Sequence, residues 1–478
     1  MSGQPLWTAA AMADAMRAKV SGAPSAVHGL SIDSRTVAPG DAYFAIKGDV
    51  HDGHAFVEAA LQAGAALAVV SADKRALFAA DAPLLVVEDV LAGLVDLARA
   101  SRARLGAKII AVTGSVGKTS TKEMLRQVLS MQGPTHASVA SFNNHWGVPL
   151  SLARCPAEVA YAVFEIGMNH AGEITPLVKL VRPHIAIVTT VEPVHLEFFK
   201  NVEAIADAKA EIFTGVEPGG TAVLNRDNPQ FARLKRHAKK SGIAHIVSFG
   251  EQRSADARLL EVSLHAACSA VHGKILDHDV TYKLAMPGRH MAINSLAVLA
   301  ATTLAGADLA QSALALSQIT AAAGRGVRRV LEIGRGTATL IDESYNANPA
   351  SMAAALNVLG RAAVGPQGRR IAVLGDMLEL GPTSAELHRG LAEAVTANGI
   401  DAVFCCGPMM RHLWEALPSV KRGGYAESSV LLESQVVAAL RGGDAVMIKG
   451  SLGSRMKIIV SALEKRFPDN AAHEDVAV

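Results

Sequence analysis

The chain has 478 residues, 50% of them hydrophobic and 19% charged, with 46 Lys+Arg against 44 Asp+Glu. At about 150 residues per domain the length predicts about three domains, with enough apolar sequence to exclude a disordered polymer. The near-balanced charge gives no support to a protein that coats nucleic acid or an anionic membrane, but it leaves room for one local basic pocket.

The first segment reads as a small α/β unit. Trp7 to Val20 is a predicted helix, and Ser31 to Phe44 holds short strands around the Pro39-Gly40-Asp41 turn. Phe56 to Gly64 is a helix closed by its glycine, and Ala66 to Val70 the next strand. In the second segment Val90 to Leu105 has helical periodicity, Lys108 to Val112 is a short apolar strand, and Lys122 to Gln132 is helical. Further strand candidates are Ala160 to Phe164, Ile185 to Thr189, Thr221 to Leu224 and His245 to Phe249. Helical stretches separate most of them, which predicts a parallel sheet. Ala257 to Met286 alternates, as antiparallel strands do. Ala292 to Leu316 is the most apolar stretch, but Asn294, Thr302, Thr303 and Asp308 interrupt it, so it reads as a buried helix and not a membrane span. The third segment carries short strands at Leu340 to Asp342, Arg370 to Leu374, Asp401 to Cys405 and Ala445 to Lys449. The division expected is residues 1–86, 87–324 and 325–478.

Cys155, Cys268, Cys405 and Cys406 form no C-x-x-C pair, so neither a zinc motif nor a disulfide scaffold is predicted. Met1 to Ala15 lacks a basic stretch ahead of an apolar one, so no secretory signal is expected. The expected compartment is the cytoplasm and the expected state a monomer, with no nucleic-acid partner and no membrane insertion.

Thr113-Gly114-Ser115-Val116-Gly117-Lys118-Thr119-Ser120 follows an apolar strand and precedes a helix. This is the setting of a phosphate-binding loop: glycines let backbone N–H groups face phosphate oxygens, and the helix adds its positive end. Lys118 would neutralise the β- and γ-phosphates and Thr119 would offer its hydroxyl to Mg²⁺. The commonest form of such a loop carries glycine at 112, where this chain has Val112. That departure argues against a generic kinase or GTPase and for a narrower family.

The loop resembles that of the Mur ligases, the cytoplasmic ATP-dependent amide ligases of peptidoglycan precursor synthesis. Four more segments are similar to that family: Asn143-Asn144 with Gly147-Val148-Pro149-Leu150; Glu165-Ile166-Gly167 through Gly172-Glu173-Ile174; His195-Leu196-Glu197; and Lys209-Ala210-Glu211-Ile212-Phe213. Asp342-Glu343-Ser344-Tyr345-Asn346-Ala347-Asn348-Pro349, Leu374-Gly375-Asp376-Met377-Leu378-Glu379-Leu380-Gly381 and Lys449-Gly450-Ser451 resemble the branch that adds D-alanyl-D-alanine. Leu452 departs from that branch, where arginine is expected, and Arg455 is the candidate replacement cation.

The resemblance implies a three-domain α/β architecture, with a central P-loop parallel-sheet domain and a Rossmann-like C-terminal domain. It implies ATP and Mg²⁺, with UDP-N-acetylmuramoyl-tripeptide and D-alanyl-D-alanine as the molecules joined through an acyl phosphate. Lys118, Glu165, His195 and Lys209 are the implied catalytic residues. Thr119, Glu165, His195 and Lys209 are the implied metal ligands, Lys209 after carbamylation by CO₂. His195 also reads as polar surface, and Lys209 as a solvated lysine. Asn294, Arg328 and Asp342 are candidates for the nucleotide, Asp342 for its ribose; Asn294 reads equally as a helix cap or a core amide. Tyr345, Asn346 and Asn348 are candidates for the dipeptide, or simply an Asn-rich turn. Ser34, Arg35 and Lys47 of the first segment, with Asn143, Asn144 and His170, are the implied contacts to the UDP-linked substrate; alone, the first three read as surface turns. Gly324-Arg325-Gly326 is the candidate hinge. Two competing readings remain: another ligase of the same superfamily, such as a folylpolyglutamate synthase, or a P-loop protein that switches without ligating.

Overall fold

The computed structural model describes residues 4–48, 50–139, 141–194 and 196–468. Three sheets of five, nine and six strands organise the chain in sequence order. The first runs Lys19–Ser21, Leu84–Val87, Leu67–Ser71, Asp41–Phe44, Gly29–Ser31, parallel except for its first strand. The helix expected over Trp7 to Val20 is Ala9–Met16. Thr8 caps it by accepting from Ala11 N, and Arg17 ends it in the left-handed region at φ 52°. That reversal sends Lys19–Ser21 back along Leu84–Val87 as an edge strand.

The central sheet is ordered His278–Leu284, Ser269–Ile275, Ala257–Leu264, His245–Gly250, Thr221–Asn225, Ile185–Val188, Lys108–Thr113, Tyr161–Glu165, Thr135–Ala137. Seven of these run parallel, and Ala257–Leu284 forms the antiparallel extension the alternation predicted. The four parallel strands at its middle are apolar at nearly every position because helices cover both faces. The apolar stretch after Ala292 is not one helix. Arg289–Leu304 and Leu309–Ala315 are separated at Gly306, φ 87°, and Asp308 caps the second.

The third sheet runs Val327–Ile333, Gly336–Glu343, Ala445–Lys449, Arg370–Gly375, Ala402–Cys406, Arg422–Ala426; only its first pair is antiparallel. The chain reverses direction across this sheet between Ala445–Lys449 and Arg370–Gly375, which opens a crevice beyond their carboxyl ends. No helix among the described residues is long and apolar enough to cross a membrane.

Candidate active site

The strand Lys108–Thr113 lies between Ile185–Val188 and Tyr161–Glu165, so its loop emerges at the middle of the sheet. Gly114 at φ 148° and Gly117 at φ 86° hold the loop in conformations that side chains resist. Neither has room for one. A Cβ on Gly114 would lie 1.9 Å from Thr189 Oγ1, and one on Gly117 2.6 Å from Asn294 Nδ2. Thr189 donates to Val116 O at 2.6 Å and fastens the loop from below. Lys118 opens the following helix, and its Nζ bridges back to Gly114 O at 2.6 Å. Burial pushes its pKa down, opposed by Glu165.

Glu165 ends its strand in register with Val112, one residue before the loop strand's end. Glu165 is 1% exposed. Oε1 accepts from Asn143 Nδ2 at 2.7 Å, while Oε2 is buried with no partner. A buried carboxylate oxygen without a donor is costly unless a cation faces it. Thr119 Oγ1, a hydroxyl 3.4 Å from Ser141 Oγ, lines the same space. Hard oxygen donors of this kind suit Mg²⁺.

The third domain supplies the opposite wall. One cleft of about 610 Å³ is lined by Ser115 to Ser120, Asn143, Glu165 and Asn294 on one side and by Tyr345, Asn346, Asn348, Lys449 and Ser451 on the other. Asn294 sits inside the helix Arg289–Leu304, whose N-cap is Gly288, so it is not a cap. Asn348 does cap: its Oδ1 accepts from Ser351 N at 2.9 Å and starts the helix Pro349–Gly360. Lys449 Nζ donates to Asn346 O at 2.9 Å and reaches Glu343 Oε2 at 3.3 Å. Ser451 Oγ accepts from Leu378 N at 3.0 Å, and Ser451 N donates to Asp376 O. The K-G-S element thereby fastens the other two third-domain motifs to the cleft.

Several predicted residues fall elsewhere. Asp342 is buried on the other face of its strand, where Ser344 donates to Oδ1 and Lys457 Nζ lies 3.1 Å from Oδ2. Strand side chains alternate, so Glu343, the next residue, is the carboxylate in the cleft. Arg328 lines a side cavity of about 290 Å³ that shares His290, Met291, Arg325 and Glu343 with the cleft. Its Nε and Nη2 are buried without partners. Asn144 Oδ1 accepts from Trp146 N and Gly147 N, a turn at the start of the helix Gly147–Ala153. His170 pairs with Glu173 at 2.9 Å on the surface. Ser34 and Arg35 form a short 3-10 turn, and Arg35 pairs with Asp33 with its side chain 86% exposed. Lys47 is exposed and bridges to Asp52 through the backbone. Lys209 is 2% exposed and lines no cleft wall; burial first and Lys118 second hold its amine well below the usual lysine range. His195 lies outside the described residues.

Sequence reasoning missed Arg325 as a site residue and read it only as hinge. Its Nη2 donates to Ser141 Oγ at 3.3 Å and its guanidinium sits 4.3 Å over the Tyr345 ring, so one side chain touches both walls of the cleft. The signal was its place between two glycines of positive φ, Gly324 and Gly326, just before the first strand of the third sheet.

The chain matches three family descriptions in order: "Mur ligase family, catalytic domain" over residues 26–102, "Mur ligase middle domain" over 112–302 and "Mur ligase, glutamate ligase domain" over 328–452. It is 32% identical over 436 residues to the UDP-N-acetylmuramoyl-tripeptide--D-alanyl-D-alanine ligase of Rickettsia prowazekii, covering 90% of this chain and 94% of that one. To the ligase of the same name from Escherichia coli K12 it is 32% identical over 458 residues, covering 96% and 98%. Its structure is similar to a crystal structure of MurF from Acinetobacter baumannii, with TM-score 0.82, 29% identity and coverage of 96% and 99%. It is also similar to MurF from Thermotoga maritima in complex with ADP, with TM-score 0.74, 27% identity and coverage of 92% and 98%.

Proposed function

The chain belongs to the Mur ligase family, and from that membership together with its cleft we infer an ATP-dependent amide ligase that joins D-alanyl-D-alanine to UDP-N-acetylmuramoyl-tripeptide. The observation that carries this reading is one cleft with Lys118 and the phosphate loop on one wall and Tyr345, Asn346 and Lys449 on the other.

The reaction brings a carboxylate onto the γ-phosphate of ATP, and negative charge accumulates where they meet. Lys118 on the phosphate-loop wall and Arg325, which touches both walls, are cations placed to offset it. The β–γ bond breaks and ADP leaves as the acyl phosphate forms; the dipeptide amine then attacks the acyl carbon, loses its proton, and inorganic phosphate leaves. The loop from Tyr345 to Asn348, held by Lys449, would orient that amine. Glu343 takes the nucleotide-facing place expected of Asp342. Thr119 and Glu165 would hold Mg²⁺, which when bound neutralises phosphate charge. Burial lowers the pKa of Lys209 and so favours the neutral amine, the form that adds CO₂, and its carbamate would present an anion to Lys118. His195 keeps its proposed place as a phosphate or metal contact on family resemblance alone.

We place the domain boundaries after residues 86 and 324, with the UDP-linked substrate held by the first domain through Ser34, Arg35 and Lys47, and with Asn143 and His170 reaching it from the central one. The enzyme is read as a cytoplasmic monomer, in the compartment where its nucleotide substrates are made. The test is phosphate release from ATP in the presence of Mg²⁺ and UDP-muramoyl-tripeptide, with and without D-alanyl-D-alanine. Release that ignores the dipeptide, or that follows glutamate or diaminopimelate instead, would refute the assignment.

A further inference from the structure

A second cavity, of about 470 Å³, lies between the first and central domains and shares no residue with the cleft. Two arginines of the central domain line it, Arg104 at the end of the helix Val90–Arg104 and Arg154 after the helix Gly147–Ala153. Arg104 lies 3.6 Å over the Trp7 ring and donates to Leu6 O and Cys155 O, while its Nε is buried with no partner. Arg154 donates to Leu30 O through Nε at 2.8 Å and also through Nη2. Burial holds both guanidinium pKa values below their usual range.

Neither cation has an ion-pair partner among the described residues. Half-buried charges without counter-ions are costly, and a cavity in front of them is where the missing anion belongs. The same cavity also carries two carboxylates, Asp41 from the first domain and Glu158 from the central one. Asp41 stands close enough to Arg154, and Glu158 to Arg104, to be felt electrostatically, yet neither closes into a pair. Charges of both signs in one cavity disfavour a polyphosphate, which the carboxylates would repel, and leave a bare anion only half matched.

We propose that this cavity binds a free amino acid, its carboxylate against Arg104 and Arg154 and its ammonium against Asp41 and Glu158. Such a ligand joins the first domain to the central one at a site separate from the chemistry.

The test uses the full chain and calorimetric titration with L-alanine, acetate, methylammonium and inorganic phosphate. Alanine is expected to bind saturably, with acetate and methylammonium each at least about tenfold weaker. Glu158→Gln, at an exposed position, and Arg154→Met are each expected to weaken alanine binding about tenfold or more while ATP binding stays unchanged. Acetate or phosphate binding as tightly as alanine would overturn the proposal. So would alanine binding unaltered in both variants, or none detectable up to about 10 mM.

Discussion

Asn143 donates its side-chain N–H to Glu165 Oε1 at 2.7 Å and leaves Oε2 buried and unpartnered. The amide therefore orients the carboxylate and does not satisfy it. Asn143→Leu should remove that orientation while Glu165 itself remains. Groups that orient a metal ligand typically contribute about 10- to 100-fold in affinity. The Mg²⁺ concentration for half-maximal activity is expected to rise in that range, read from initial rates against Mg²⁺. An unchanged Mg²⁺ dependence would mean Glu165 is not a ligand.

Arg325 is a cation of the cleft whose side chain bridges Ser141 to Tyr345. Arg325→Met should lower kcat by about 100-fold, the scale of losing one donor to developing charge. KM for the UDP-linked substrate should not move. Arg325→Lys keeps the charge but not the planar group that lies on the Tyr345 ring, so it should recover only part of the rate. A kcat equal to wild type in Arg325→Met would show that the residue is hinge alone.

The phosphate loop, the parallel strands and the antiparallel extension were all legible because each is a contiguous pattern. What was not legible depends on facing. Asp342 and Glu343 are neighbours, and only pairing with Ala445–Lys449 decides which of them enters the cleft. Asn144 and Asn348 look like ligands in a string of letters, but local backbone N–H groups take their side-chain oxygens. Glu211 of K-A-E-I-F is structural too: it accepts from Gly172 N and Thr175 N and so ties that motif to the one beginning at Glu165. The edge strands Lys19–Ser21 and Arg422–Ala426 went unread because each is short and partly exposed, with little apolar period to detect.

Gly117 should tolerate no side chain. At φ 86°, with Asn294 Nδ2 2.6 Å from where a Cβ would stand, Gly117→Ala must move both the loop and the Asn294 amide. Displacements near an ångström at such sites cost about 100-fold in activity. KM for ATP is expected to rise by that order while the fold persists by circular dichroism. Near-normal ATP kinetics would place the nucleotide elsewhere.

Lys209 offers a test independent of the assay for ligation. Its amine is buried, and burial first and Lys118 second hold its pKa well below the usual lysine range. Peptide mass mapping under bicarbonate, after trapping with an alkylating agent, should show one alkoxycarbonyl group on Lys209 of the wild type and none on the corresponding peptide of Lys209→Met. Activity should fall when CO₂ is stripped from the buffer and recover when bicarbonate returns. Loss of neither mass nor activity would rule out the carbamate.

His136 sets a pH dependence of stability. It lies in the strand Thr135–Ala137, against Phe164, and Nε2 donates to Ser151 O at 2.8 Å. Burial pulls its pKa from 6.5 to about 4, with Arg154 adding to the effect and the Ser151 bond opposing it. The folded state thus holds the neutral ring, and the unfolded chain binds its proton first as pH falls. The contribution is complete above about pH 6.5 and is lost progressively down to about pH 4, at about 1.4 kcal/mol per unit or roughly 3 kcal/mol in all. Carboxylates titrate over part of the same range, so the comparison is between wild type and His136→Gln, by urea unfolding at pH 7 and pH 4.5. The variant should lose less stability between the two. Equal losses would show that this ring is protonated in the folded protein.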